Sequence, residues 1–161
     1  MKPFVIERVY DAPRERVWAA WTEAERLKEW FTPKAFTMVR CTMDLRVGGL
    51  FHYQLRMPDG QDLWGRWVLR EIAKPERLVF IVSFSDPKAG ISVHPMNPSW
   101  PREMHSTVRF AALGARTKVS VEWLPLEGST DGEQRAFDDG RDSLKMGWGG
   151  TLDHLAGYLA R

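Results

Sequence analysis

The sequence has little cysteine: Cys41 is the only one among its 161 residues. An internal disulfide is therefore excluded, and this usage suits the reducing cytoplasm. The sequence also lacks any run of about eighteen apolar residues, which excludes a membrane-spanning helix and predicts no stable membrane insertion. Its opening residues, Met1 to Phe4, lack the apolar core of a signal peptide. Together these absences predict a cytoplasmic protein.

An excess of charge of one sign is also missing. The 23 Lys and Arg residues stand against 21 Asp and Glu residues, and the net charge is only +2. Domains that bind nucleic acid concentrate basic residues on one surface, so the even spread here predicts no nucleic-acid partner. The length fits one domain over residues 1–161, which is enough chain to bury a substantial core.

Motifs that carry a known chemistry are absent too. The sequence contains no Gly-rich phosphate loop and no Ser nucleophile motif. Glu103 and His105 share one face of a predicted strand, but polar pairs of this kind are commonplace on strands. The four histidines have no ligand-like spacing to one another or to the cysteine: His52, His94, His105 and His154. The sequence therefore predicts no catalytic residue, no metal and no cofactor.

The strongest pattern that is present runs from Thr130 to Arg161. Thr130 and Glu133 form a capping-box signature at its start. At 100° per residue the apolar side chains share one stripe, which predicts a single long amphipathic helix with one face to bury: Phe137, Leu144, Trp148, Leu152, Leu155 and Leu159. A helix of this length is expected to lie across a whole sheet.

Two features of this predicted helix are unusual: it contains several interior glycines, and its apolar stripe contains one charged residue. Each interior glycine costs roughly 1 kcal/mol relative to alanine, so the run Gly147–Gly150 needs a reason. Two explanations stay open, the close approach of a neighbour or a simple kink. Arg141 is the only charge near the centre of the apolar stripe. It reaches water, pairs with a buried acid or faces a wet cavity where it meets a polar group of a bound ligand.

The rest of the chain is predicted to form short helices and strands. Residues 4–10 alternate as a strand, Pro13 opens a short helix, and Thr22 with Glu25 predicts the cap of a second short helix. Between Phe36 and Trp123 the periodicity changes to two, which indicates six further strands. Residues 86–101 form a long proline-rich loop that either covers the mouth of a pocket or packs on the surface.

This order of elements predicts an α+β fold. A curved antiparallel sheet of six or seven strands wraps around a long C-terminal helix, and two short helices follow the first strand. A sheet that curls around a helix leaves a hollow between them. Hollows of this kind bind apolar small molecules.

Several segments resemble a known family over nearly the whole chain, from about Phe4 to Leu159. They read APRERVWAAWTEAERLKEWF, DLRVGG, PDG, EIAKPERLVF and GRDSLKMGWGGTLDHLAGYL. They are similar to the START-like superfamily, also called SRPBCC, in the branch named for the activator of the ninety-kilodalton heat-shock protein's ATPase. The resemblance implies the helix-grip fold. Superfamily relatives include lipid carriers, plant hormone receptors, polyketide cyclases and a few hydrolases, so the fold alone does not assign a function.

Three functions remain open. The first is a cytoplasmic binding protein with a hydrophobic cavity for a lipid-like or aromatic ligand between sheet and helix. The second is an enzyme of the polyketide cyclase or hydrolase kind. The third is a module that interacts with a chaperone, although the co-chaperone that names the branch uses an additional N-terminal domain for this contact. A homodimer is possible in each case.

The binding hypothesis has its own set of candidate residues, and for each of them an ordinary place in the core is the alternative. They come from the second short helix, the strands, the long loop and the C-terminal helix: Trp30, Phe31, Phe51, Tyr53, Trp67, Phe80, Phe84, Trp100, Phe110, Arg141, Leu144, Trp148 and Leu152.

Overall fold

The computed structural model describes residues 1–161, which form seven strands and four helices. In chain order these are β1 (Phe4–Tyr10), α1 (Arg14–Thr22), α2 (Ala24–Trp30), β2 (Thr37–Met43), β3 (Leu50–Arg56), β4 (Asp62–Ala73), β5 (Arg77–Ser85), β6 (Met104–Leu113), β7 (Arg116–Pro125), α3 (Asp131–Asp139) and α4 (Arg141–Leu159). This arrangement confirms the predicted α+β fold with two short helices after the first strand.

All seven strands join one antiparallel sheet in the order β1-β7-β6-β5-β4-β3-β2. Strands β2 to β7 form a meander because each pairs with its neighbour in sequence. Strand β1 adds to the free edge of β7, with Phe4 opposite Trp123. The most apolar strand, β5, takes the central position, as its sequence predicted. The sheet curls, and its concave face covers the helices.

The two short helices fill one end of the space under the sheet. Helix α1 buries Trp18 and Trp21, and helix α2 buries Leu27 and Trp30. Trp21 is fully buried, and its ring stacks on Trp67 of β4. At this end the core is therefore closed by large aromatic side chains.

The C-terminal helix differs from its prediction. We expected one continuous helix from Thr130, and the structure has two, α3 and α4, separated at Gly140. The predicted capping box is present, because the Thr130 hydroxyl accepts from the Glu133 amide and the Glu133 carboxylate accepts from the Thr130 amide. Gly140 has φ −92° and ψ 6°, outside regular helix geometry, and this residue ends α3.

Close approach explains two of the glycines. A Cβ atom on Gly140 would lie 2.6 Å from the ring of Trp100, and one on Gly150 would lie 3.0 Å from Cγ of Lys34. A Cβ on Gly147 or Gly157 would meet no atom within 4 Å. The glycines of this region therefore have different structural roles, and one of them, Gly140, also marks the break between α3 and α4.

One predicted helix cap is wrong. Thr22 was expected to cap the second short helix, but the N-cap of α2 is Glu23, which makes no side-chain capping bond. The Thr22 hydroxyl instead donates to the carbonyl of Trp18 within α1, at 2.9 Å. A threonine in a last helical turn can satisfy its hydroxyl in this way, so the local sequence signal was ambiguous.

The long loop before β6 is tied down at both ends. Near its start the Asp86 carboxylate accepts from the amides of Lys88 and Gly90. At its end the Glu133 carboxylate accepts from the amide of Arg102 at 2.8 Å. Trp100 is buried, whereas Met96 is 83% exposed. The loop therefore packs inward at Trp100 and not at Met96. None of the four helices combines the length and apolar character needed to cross a membrane.

The contact between Gly140 and Trp100 predicts opposite effects for two matched substitutions. Gly140→Ala would push a methyl group into a buried ring and is expected to lower the free energy of unfolding by about 1–3 kcal/mol. Gly157→Ala adds the same methyl group to an exposed part of the helix and is expected to raise the free energy of unfolding by about 0.5–1 kcal/mol. Urea unfolding measures both. Equal stabilisation by the two changes would contradict the packing of Trp100 on this glycine.

Candidate ligand cavity

A cavity of about 480 Å³ lies between the sheet and helix α4. Sites for small molecules commonly occupy about 300–1,000 Å³, so the space suits a ligand of modest size. Its walls come from the concave faces of β3, β4 and β5, from the inner stripe of α4, from the segment after α2 and from the end of the long loop. These elements surround the end of the interior that the α1 side chains leave unfilled.

Small residues keep this space empty. On the side of α4 that faces the sheet, Gly140, Ser143, Gly147 and Thr151 recur at three- and four-residue intervals. A Cβ atom on Gly147 would point into open space, since no other atom lies within 4 Å of it. A larger side chain at this position would extend into the cavity. Gly147, which weakens the isolated helix, thus leaves part of the volume between helix and sheet open.

Seven of the predicted site residues line the cavity. They are aromatic or aliphatic side chains from α4, the sheet and the adjoining loops: Phe31, Tyr53, Trp67, Phe84, Trp100, Leu144 and Trp148. Their participation in binding stays a prediction.

The other six predicted site residues lie outside the lining: Trp30, Phe51, Phe80, Phe110, Arg141 and Leu152.

Five of these six belong to the aromatic and aliphatic core behind the cavity wall. Phe80 is fully buried and stacks on Trp67, with ring centroids 4.0 Å apart and planes 14° apart. The indole nitrogen of Trp30 donates to the carbonyl of Ala20 at 2.9 Å. Phe51 contacts Trp67 as well, and Leu152 has no exposed surface. These side chains pack behind the residues of the cavity wall. Strand periodicity predicts which residues are on the inner face of the sheet, but it does not tell those that border the cavity from those behind them.

Arg141 makes its contacts at the edge of the molecule. Its Nε donates to the Asp138 carboxylate at 2.9 Å, and its guanidinium also donates to the carbonyl of Lys2. The guanidinium carbon lies 5.0 Å from the centre of the Phe137 ring. Of the three roles considered for this arginine, pairing with an acid is the one the geometry shows. The acid is half exposed rather than buried, and the pair satisfies the charge without a ligand.

Tyr53 owes its position to a missing side chain on the neighbouring strand. Tyr53 of β3 is paired with Gly65 of β4. A Cβ on Gly65 would lie 2.3 Å from the Tyr53 ring, so the ring occupies the place of that side chain. Burial raises the pKa of the Tyr53 hydroxyl well above its usual value, and the group therefore stays protonated at neutral pH. The cavity wall thus holds a neutral hydroxyl that can donate a hydrogen bond.

His94 lines the cavity and was not among the predicted site residues. Its ring packs edge-on against Phe84 and lies near Trp100, with centroid distances of 4.9 and 6.1 Å. The amide of Met96 donates to Nδ1 of His94 at 3.0 Å, so the proton of the neutral ring is on Nε2. Burial lowers the pKa of His94, which favours this neutral form. His94 lies in a loop, where residues follow no periodic pattern. The sequence therefore indicated only that the loop could border a pocket, and it did not single out this histidine.

The remaining polar groups of the wall are mostly satisfied within the protein. The Thr151 hydroxyl donates to the carbonyl of Gly147, and the side-chain oxygen of Asn97 accepts from the amide of Ser99. None of the 24 lining residues is Asp, Glu, Lys or Arg. No group of three or more His, Cys, Asp or Glu side chains is placed to hold a metal ion.

Two polar atoms on neighbouring strands beside the cavity have no hydrogen-bond partner. They are the hydroxyl of Ser106 and the indole nitrogen of Trp123, two residues that are paired in register across β6 and β7. Trp123 also lines the cavity, and its ring packs edge-on against Trp148. An unpaired buried polar group costs about 1–3 kcal/mol. This part of the wall is therefore less stable than an apolar one would be.

The pairing of Tyr53 with Gly65 predicts a strong coupling between the two positions. Gly65→Ala alone is expected to lower the free energy of unfolding by about 1–3 kcal/mol, because the new methyl group overlaps the ring. In a Tyr53→Ala background the same change is expected to cost less than about 1 kcal/mol. A double-mutant cycle in urea measures the difference. Additive effects would show that the ring does not occupy the place above Gly65.

The environment of His94 predicts a dependence of stability on pH. Because burial lowers its pKa, the folded protein takes up this proton at lower pH than the unfolded chain does. The contribution of neutral His94 to stability is thus fully present above the usual histidine pKa of about 6.5. It is lost as the pH falls through the lowered pKa of His94 in the folded protein. Unfolding free energies measured from about pH 8 to 5 should fall more steeply for the natural protein than for His94→Gln. Parallel curves would contradict the burial of this ring.

Comparison with known proteins gives one family match. A family model described as Activator of Hsp90 ATPase homolog 1-like protein matches residues 11–160. No functionally curated protein matches the sequence.

Solved structures with the same fold include three bacterial proteins. A protein from Arthrobacter aurescens has a TM-score of 0.79 and 24% identity over 98% of this chain and 86% of its own. Protein Ms6760 from Mycobacterium smegmatis has a TM-score of 0.77 and 19% identity over 98% and 90%. The AHSA1 protein from Silicibacter pomeroyi has a TM-score of 0.75 and 17% identity over 99% and 98%. At these identities the similarity shows the fold alone.

Proposed function

The chain belongs to the family of Activator of Hsp90 ATPase homolog 1-like proteins, and we propose that it is a binding protein for a small apolar or aromatic molecule. The ligand occupies the cavity between the sheet and α4, and the protein acts in the cytoplasm. The family's START-like fold is compatible with ligand binding, and the site itself supplies the particular argument.

One observation carries the proposal: a cavity of about 480 Å³ with a predominantly hydrophobic lining persists in a core that is otherwise closed by large rings. Protein interiors are close-packed, and a void of this size forgoes the contacts that would fill it. Here Gly147 borders the void at a helical position where alanine or leucine would favour the helix. Removing apolar surface of a ligand from water would recover about 25 cal/mol for each Å² buried.

The wall supports binding better than it supports turnover. Its only titratable side chains are Tyr53 and His94. The neutral His94 already uses Nδ1 to accept from the protein backbone, which leaves it without a free ring nitrogen to act as a base. A pocket of aromatic rings with a few polar contacts is the common form of a small-molecule site.

Filling the cavity from the helix tests the proposal. Gly147→Leu places a side chain in the open space next to the wall, and it is expected to weaken binding of the neutral probe N-phenyl-1-naphthylamine by at least about tenfold, or 1.4 kcal/mol. Gly157→Leu is the matched control, since it puts the same side chain on exposed helix outside the cavity, and it should bind as the natural protein does. Fluorescence titration of the probe measures the dissociation constants.

Thermal unfolding of the three proteins completes this experiment. The probe should raise the melting temperature of the natural protein and of Gly157→Leu as its concentration exceeds the dissociation constant. The probe should not change the melting temperature of a folded Gly147→Leu protein. Undiminished binding by folded Gly147→Leu, or no binding by the natural protein, would overturn the proposal.

A further inference from the structure

The distribution of charge around the cavity narrows the class of ligand, and this inference rests on the proposed function. None of the side chains in the wall carries a formal charge at neutral pH. An ion that leaves water without a partner of opposite charge loses several kcal/mol. A fatty acid or another organic anion would therefore bring a carboxylate to a wall that has no cation to meet it.

Three cations close to the cavity wall already have partners within the protein. The guanidinium of Arg66 donates to the carbonyl of Ala89 and to the hydroxyl of Ser83. Lys34 pairs with Asp153 at 3.2 Å, and Arg141 pairs with Asp138. Recruiting any of these groups for an anionic ligand would break an existing interaction.

Two side chains of the wall, His94 and Tyr53, can donate a hydrogen bond to a ligand. Because Nδ1 of His94 accepts from the amide of Met96, the ring presents an N–H at Nε2, for which the protein supplies no acceptor. The hydroxyl of Tyr53 stays protonated and can donate as well. Both residues line the cavity. A ligand that matches this wall needs a hydrogen-bond acceptor, such as a carbonyl or ether oxygen, and needs no charge.

The shape of the apolar wall favours rings over a flexible chain. Nine of the 24 lining residues are Phe, Tyr or Trp, and rings of this kind stack or pack edge-on with other rings. We propose that the cavity binds an uncharged aromatic molecule that carries a hydrogen-bond acceptor, which His94 recognises through its Nε2 hydrogen. In this arrangement His94 determines specificity and does not take part in a reaction.

Probes of equal shape and different charge test this inference. We would measure dissociation constants by calorimetry at about pH 7.5, where the carboxylate is ionised and His94 is neutral, for 2-acetylnaphthalene, naphthalene, 2-naphthoate and decanoate. The ketone should bind about three- to tenfold more tightly than naphthalene, which lacks the acceptor. It should bind about a hundredfold more tightly than 2-naphthoate, which has the same rings and a charge.

Two variants isolate the contribution of His94. His94→Phe should retain naphthalene binding and lose the preference for the ketone, while His94→Gln should keep part of that preference because its amide also donates. Tighter binding of 2-naphthoate or decanoate than of the ketone would overturn the inference, as would an unchanged ketone preference in His94→Phe.

The failure of the inference can be told apart from that of the proposed function. If the anions bind best and Gly147→Leu prevents it, the cavity is a binding site for another class of ligand. If none of the four probes binds while N-phenyl-1-naphthylamine does, only the inference falls, and if N-phenyl-1-naphthylamine does not bind either, both proposals fall.

Discussion

The ring of Trp21 stacks between Trp67 of the sheet and Trp148 of helix α4, and the rest of the interior depends on this contact. The centroid distances are 6.3 Å to Trp67 and 6.0 Å to Trp148. Trp21 has no exposed surface. Three large and rigid rings thereby set how far the helix stands from the sheet.

With that separation fixed, the cavity follows from the distribution of small residues. Trp21 comes from α1, which reaches only one end of the interior. Towards the other end, Gly147 provides no side chain to fill the gap, whereas the side-chain places of Gly140 and Gly65 are taken by the rings of Trp100 and Tyr53. The cavity therefore follows from large rings at one end and an open helix surface at Gly147 at the other. Its chemistry is aromatic and uncharged, with hydrogen-bond donors that include those of Tyr53 and His94, and it comes from the residues that border the gap.

Much of this architecture could be predicted from the sequence. Alternation of apolar and polar residues located the strands, and the apolar character of β5 placed it at the centre of the sheet. The capping box located the start of the C-terminal helix. The break at Gly140 was not foreseen, and neither was the ring of Trp100, which comes from a distant loop and packs on this glycine. Such contacts form between residues that are distant in sequence, and local periodicity cannot predict them.

The site was less predictable than the fold. Strand parity placed both Phe80 and Tyr53 on the inner face, but only the three-dimensional curl shows that Phe80 lies behind Trp67 while Tyr53 borders the cavity. Gly147 was considered as a point of close approach or a kink, and it proved to face open space. His94 was missed since a loop has no repeating pattern. The charge of Arg141 left three roles open, and only the structure shows that its partner is the nearby Asp138.

A crystal structure of the natural protein grown with 2-acetylnaphthalene would show directly whether the cavity holds a ligand. We expect one molecule between the sheet and α4, beyond the Trp21 stack, with its carbonyl oxygen within hydrogen-bond distance of His94 Nε2. A structure in which the rings of Trp67, Trp100 and Trp148 close the gap, with the compound absent or bound elsewhere on the surface, would contradict this expectation.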